Sequence, residues 1–316
     1  MIMDVLIQLM QMTLVVLLAP LLTGVIRKVK ARLTKHRGAS IFQPYRDLRR
    51  LFRKEVVLAH NASWLFRVAP YLIFSTTWIA ASLVPTFATG LIFGSSADLI
   101  VVIALLGSAR FFMALAGMDV GTAFGGIGAS REMMIASLAE PAMLMIVFTV
   151  ALVAGSTQLS TIAAHMITSQ VGLRVSLGLG LVALIIVGIA ENARIPVDNP
   201  ATHLELTMVH EAMILEYSGR HLGMIELASS LKLLLYISLI MCLFAPWGLA
   251  PSQHSWMAYV AGTGAYVGKL GIAAFALAFF ETSIAKMRVF RVPQLLGGAL
   301  MLGLLATLLL FVSKSF

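Results

Sequence analysis

Seven ionisable residues lie in or at the edges of long apolar runs: Arg110, Asp119, Glu140, Glu191, Lys232, Lys269 and Glu281. Lys269 stands out most, near the middle of the run from Trp256 to Phe280. A charge in hydrocarbon costs about 3 kcal/mol or more unless it is paired or hydrated, so such residues mark ion paths or buried polar sites. Carboxylates gathered at that depth can exchange protons near neutral pH, because burial and nearby charge move their pKa values. The same four carboxylates and three bases can also pair statically, as structural ion pairs. A shared polar chamber near one membrane face accommodates either use.

Residues of this kind need membrane-spanning elements to hold them. The 316 residues are 59% hydrophobic and only 12% charged, a composition that excludes an ordinary soluble domain. The apolar runs are unbroken rather than alternating, which favours helices over a β-barrel. Eight spans are expected, near 5–26, 69–92, 97–118, 133–154, 174–190, 228–247, 256–280 and 294–313. The chain is thus read as all-α, a single polytopic membrane domain over 1–316, with longer loops at about 27–68 and 191–227. At about 1.5 Å per residue, Glu140 lies about 10 Å in from Met133, and Lys269 about 18 Å from Glu281.

Orientation follows from the basic residues. Of 23 Lys and Arg, eighteen fall in alternate connections and two in the others, so both termini are expected outside. The first span lacks a positive n-region and reads as an uncleaved anchor. The net charge of +9 sits mostly in the first loop, where anionic lipid and partner proteins are the natural counterparts. Nucleic acid is set aside. A single cysteine, Cys242, can neither form an intrachain disulfide nor hold an iron–sulfur cluster.

Within the first loop, YRDLRRLFRKE places Tyr45, Leu48, Leu51 and Phe52 at helical spacing among arginines, which predicts a basic amphipathic helix on the inner surface. It can anchor topology or dock a peripheral subunit. The second loop carries six carboxylates against Arg194 and Arg220, with helix-breaking Pro196 and Pro200 and a helix-competent stretch from Thr202 to Tyr217. His203 and His210, seven apart with Glu211 nearby, invite a metal reading, but no third ligand follows from the spacing. FGGIGASRE from Phe124 lacks the GxGxxG spacing and a preceding strand, so it is expected to be a tight connection rather than a phosphate cradle.

Taken in order, KHRG with Gln43 and YRDLRRLF, GASRE with Glu140, IAENARIPVD, LEYSG, and KMRVF after Glu281 resemble the membrane subunit shared by respiratory complex I and the energy-converting NiFe hydrogenases. Arg110, GASRE, Lys232 and the Lys269 and Glu281 pair are similar to the branch of formate hydrogenlyase subunit 4 and hydrogenase-4 component C. Ala39 departs from the family's usual proline, and the segment 199–212 is longer than usual, with His203 and His210 where carboxylates are the rule.

The resemblance implies a non-catalytic subunit in a prokaryotic cytoplasmic membrane that couples a redox arm to proton or ion movement. It implies a path from Glu191, Asp198, Glu211 and Glu216 through Glu140, Lys232, Arg110 and Lys269, with Asp119 and Glu281 at inner helix ends. Docking is expected at Arg37, Gln43, Tyr45, Asp47, Arg49, Arg50 and Arg194. The implied partners are the hydrogenase large and small subunits, iron–sulfur proteins and antiporter-like membrane subunits. The NiFe and iron–sulfur centres are expected on those partners, with no cofactor or metal on this chain. The alternatives are the quinone-site subunit of complex I, or a stand-alone transporter or passive anchor.

Overall fold

The computed structural model describes residues 2–168, 175–198, 209–250, 256–285, 287 and 291–315. Among them there is no strand, and two isolated bridges, Ala88 with Ala250 and Asp98 with Gln158, only pin loops together. Six helices are long and apolar enough to cross a membrane: α1 (Ile2–Leu33), α4 (Leu99–Asp119), α5 (Ala123–Ala154), α9 (Gly219–Phe244), α10 (Trp256–Ser283) and α11 (Val292–Ser315). The other two expected spans are α3 (Trp64–Leu83), which carries Arg67 in its first turn, and the 17-residue α7 (Val175–Glu191). Three shorter helices complete the set: α2 (Gln43–Arg53), α6 (Leu159–Thr168) and α8 (His210–Ile214).

Each span coincides with a helix, and the ends differ where local chemistry decides. Helix α3 stops at Leu83 because Val84 precedes Pro85 and is held extended. Helix α5 starts at Ala123, ten residues before the apolar run, because Thr122 caps it by accepting a bond from the Gly125 N–H at 3.3 Å. The stretch FGGIGASRE is therefore helix, not connection. Helix α1 continues to Leu33 and carries Arg27, Lys28, Lys30 and Arg32 beyond the expected end.

Helix α9 is buried on every side from Leu233 to Leu239 and forms the centre of the bundle, packed against α1, α2, α3, α6, α7 and α10. Helix α11 lies against α5 and α7, and α3 against α4. The buried Gln11 side-chain nitrogen donates to the backbone carbonyls of Ser82 and Val84, at 2.9 and 3.0 Å, and ties α1 to the end of α3. A second core of Phe66, Met113, Met213, Tyr217 and Ile225 joins α3, α4, α8 and α9 at the end of the bundle that carries the arginine-rich segment, called the basic end below. There the Phe66 and Tyr217 rings stack at 3.9 Å.

Close approach at this end rests on two glycines. A Cβ on Gly125 would run into the Gly117 carbonyl oxygen, and one on Gly128 would meet Met213 and the Val209 carbonyl at 2.9 Å. Gly125→Ala is therefore expected to push α5 from α4 and destabilise the protein by about 1–3 kcal/mol. Gly126→Ala, with open space at its Cβ, should be neutral or stabilise by about 1 kcal/mol. Thermal unfolding of the two variants in the same detergent checks the contrast, and equal melting behaviour would refute it.

Candidate functional site

Arg110 on α4 is buried in the bundle and is the point on which three carboxylates converge. Its guanidinium lies 3.0 Å from Glu140 of α5, 3.6 Å from Glu132 of α5, and donates to Glu191 at the end of α7. The far oxygen of Glu191 pairs with Lys232 of α9 at 3.0 Å. Four helices thus contribute to one hub of three carboxylates and two cations. Fully ionised, the five groups carry one surplus negative charge, and in surroundings that screen poorly a single proton on any of the carboxylates removes it.

A second cluster lies closer to the basic end. Glu281 of α10 is buried between Lys30 of α1 and Arg194, each at 3.2 Å. Asp198, also buried, accepts from the Val209 N–H at 3.3 Å. Both line an open chamber of 870 Å³ walled by the end of α1, by α2, by residues 192–198, by α8 and by the start of α9. Glu211, Glu226 and His210 face the same chamber.

The chamber and the hub are joined by smaller voids. One of 50 Å³ holds Arg110, Glu132, Glu191 and Lys232, and shares Asn192, Ala193, His210, Ile225 and Ser229 with the chamber wall. Another of 10 Å³, beside Glu140 and Tyr236, shares Arg110 and Glu191 with the first. A water needs roughly 10–15 Å³ of such volume, so the middle void admits about three or four and the last about one. At the neck, burial and Lys232 draw the His210 pKa below the usual histidine value, while Glu211 and Asp198 oppose the shift. The ring is neutral at pH 7.

The expected residues divide cleanly. Arg110, Glu140, Glu191 and Lys232 meet in the hub, whereas Asp198, Glu211 and Glu281 line the chamber. Lys269 does not join them: it donates to the carbonyls of Ala245 and Trp247, capping the far end of α9. Twelve residues along one helix separate it from Glu281, about 18 Å, too far for the two to pair. Asp119 accepts from the Ser63 N–H at 2.8 Å, fixing the start of α3, and Glu216 is exposed away from the chamber.

Of the docking set, Arg37, Arg49 and Arg50 are on the surface. Gln43 and Arg50 bond Asp47, Tyr45 donates to the Leu17 carbonyl, and Arg194 is held by Glu281. Two site residues escaped the sequence reading, Glu132 and Lys30. Each lies on a stretch of helix that the apolar run alone does not reveal, although Glu132 sits only eight residues before Glu140. His203 lies outside the described residues, and among these no cluster of three His, Cys, Asp or Glu is placed to hold a metal.

Residues 5–312 match the family model described as NADH dehydrogenase. The chain is 33% identical over 293 residues to formate hydrogenlyase subunit 4 of Escherichia coli (strain K12), covering 93% of this chain and 94% of that one. It is 36% identical over 244 residues to hydrogenase-4 component C of the same organism, covering 76% and 75%. An NADH-quinone oxidoreductase subunit of Rickettsia canadensis (strain McKiel) is 26% identical over 277 residues, covering 84% and 80%. In fold, the chain matches a subunit of the membrane-bound sulfane sulfur reductase, an archaeal respiratory membrane complex, with a TM-score of 0.80 and 19% identity over 96% of this chain and 98% of that one.

Arg110 is the partner that all three hub carboxylates share. Arg110→Leu is expected to leave buried charge uncompensated and to cost about 3–5 kcal/mol. Lys30→Ala, whose half-exposed ammonium shares Glu281 with Arg194, should cost about 1 kcal/mol or less. Thermal unfolding in detergent separates the two, and a Leu variant as stable as the Ala one would show that Arg110 does not hold the bundle.

Proposed function

The chain belongs to the NADH dehydrogenase family of membrane subunits, and we propose that within it this protein anchors and couples an energy-converting NiFe-hydrogenase or formate hydrogenlyase-type complex. It is a multi-pass membrane protein of a complex I-like assembly. The observation that carries the finer reading is the hub of Arg110, Glu132, Glu140, Glu191 and Lys232, reached from an open chamber through voids that admit water. A passive anchor has no use for five ionisable groups gathered from four helices at a cost that packing must offset.

In this reading the basic end faces the cytoplasm of a prokaryotic cell, and the peripheral large, small and iron–sulfur subunits dock there against Arg37, Arg49 and Arg50. The redox centres reside on those partners. Protons enter by the chamber past Asp198 and Glu211, cross the hub from Glu191 to Glu140, and pass to antiporter-like neighbours in the membrane. Redox turnover in the arm acts by shifting the 191–226 segment. Moving Arg194 or Asp198 by a few ångströms changes the charge seen from the hub and hence which carboxylate keeps a proton.

Glu140 is the sensitive position, because glutamine keeps an acceptor for Arg110 but cannot carry a proton. In the complete complex reconstituted into vesicles, Glu140→Gln is expected to abolish redox-driven acidification while the subunits still assemble. Undiminished proton movement in that variant overturns the reading.

A further inference from the structure

Among the described residues, the linings of the chamber and of the void at the hub coincide at five: Asn192, Ala193, His210, Ile225 and Ser229. Ala193 and Ile225 carry no exchangeable proton. The Asn192 amide is committed to the Gly188 carbonyl at 2.7 Å, and a serine hydroxyl cannot store a proton near neutral pH. Among the described residues at the neck, His210 is the one whose side chain can take up and release a proton, and its two ring nitrogens allow uptake on one side and release on the other. We infer that His210 is the proton relay between the outer chamber and the ion-pair hub. The inference rests on the proton-coupling role proposed above and gives that path its entry gate.

The charges around the ring give the relay a direction. Asp198, from the segment after α7, and Glu211, on α8 itself, stand on the chamber side. Lys232 of α9 faces the ring from the smaller void, with Arg110 of α4, Glu132 of α5 and Glu191 of α7 beyond it. A proton from a chamber carboxylate or water protonates the ring, and Lys232 repels the resulting cation. The second N–H proton then passes to the hub carboxylate that carries the surplus charge, leaving a neutral ring and a neutral carboxyl. A carboxylate at this position would instead bind Lys232 permanently and close the neck. Histidine, uncharged at rest, leaves Lys232 to Glu191.

The test uses the whole complex in vesicles, with proton movement read per redox turnover. His210→Ala is expected to lower it at least tenfold, and added imidazole to restore most of it, because the alanine leaves space for the ring that the chamber can admit. His210→Gln, which fills that space, is expected to show the same loss with no rescue, and it stands in if the alanine variant fails to assemble. Wild-type proton movement in either variant overturns the relay, as does a loss in an assembled alanine variant that imidazole leaves untouched. If the wild-type complex moves no protons at all, the coupling role falls and the relay with it, an outcome distinct from a relay that fails in a coupled complex.

Discussion

A guanidinium cannot be left alone inside a bundle of apolar helices, and from that constraint the arrangement of this protein follows. Arg110 is buried on α4, and the carboxylates that compensate it come from α5 and α7. Those helices must therefore approach α4 closely at the same depth. Small residues make the approach possible: Gly117 against Gly125, and Gly128 under α8. Lys232 then draws α9 into the same layer through Glu191. The hub is thus a register mark for four helices, whose mutual attraction in lipid is otherwise weak because lipid tails are as apolar as leucine.

The same constraint explains the graded voids. Packed apolar interiors leave little space, so a run of cavities of 870, 50 and 10 Å³ leading to one group of charges is a departure from ordinary packing. Hydration is the alternative to pairing for a buried charge, and the voids supply it in decreasing amount. Near the chamber, Glu281 keeps two cationic partners, and one of them, Lys30, is half-exposed. Deeper in, the buried Arg110, Glu132 and Glu191 depend on direct contact. The dielectric is lower around these buried groups than in the chamber, so a charge change weighs more heavily there.

The bundle was legible in the sequence because hydrocarbon demands about twenty apolar residues per helix, and that demand leaves a plain mark. Helix ends were not, since Thr122 capping α5 and the basic turns that lengthen α1 belong to the water-facing chemistry that hydropathy ignores. Glu132 and Lys30 were lost with those ends. Depth along each helix put Arg110, Asp119, Glu140, Glu191, Lys232 and Glu281 toward one face, yet Arg110, Glu140, Glu191 and Lys232 meet while Asp119 and Glu281 lie elsewhere, because depth gives no azimuth. Lys269 shows the difference: its ammonium reaches back to the carbonyl end of α9, where the helix dipole and the carbonyl oxygens of Ala245 and Trp247 hold a cation well. The neck at His210 could not be read from spacing at all, since the residues that share it come from three separate parts of the chain.

The hub is also lopsided, and the lopsidedness bears on direction. The side chains of Glu132 and Glu191 are 12% and 2% exposed, whereas that of Glu140 is 46% exposed on the flank of α5. A carboxylate turned partly outward at membrane depth is costly against lipid and comfortable only against a polar neighbour. Under the proposed function that neighbour is the next membrane subunit, and Glu140 is where the chain hands charge across. Arg110 stands between the inner carboxylates and this outer one, and its planar fork can grip two of them at once. A proton that arrives at Glu191 weakens the grip on that side and leaves the guanidinium to Glu140. A proton that leaves from Glu140 reverses the balance. Under that proposal one shared cation couples the two ends of the hub without any helix having to move.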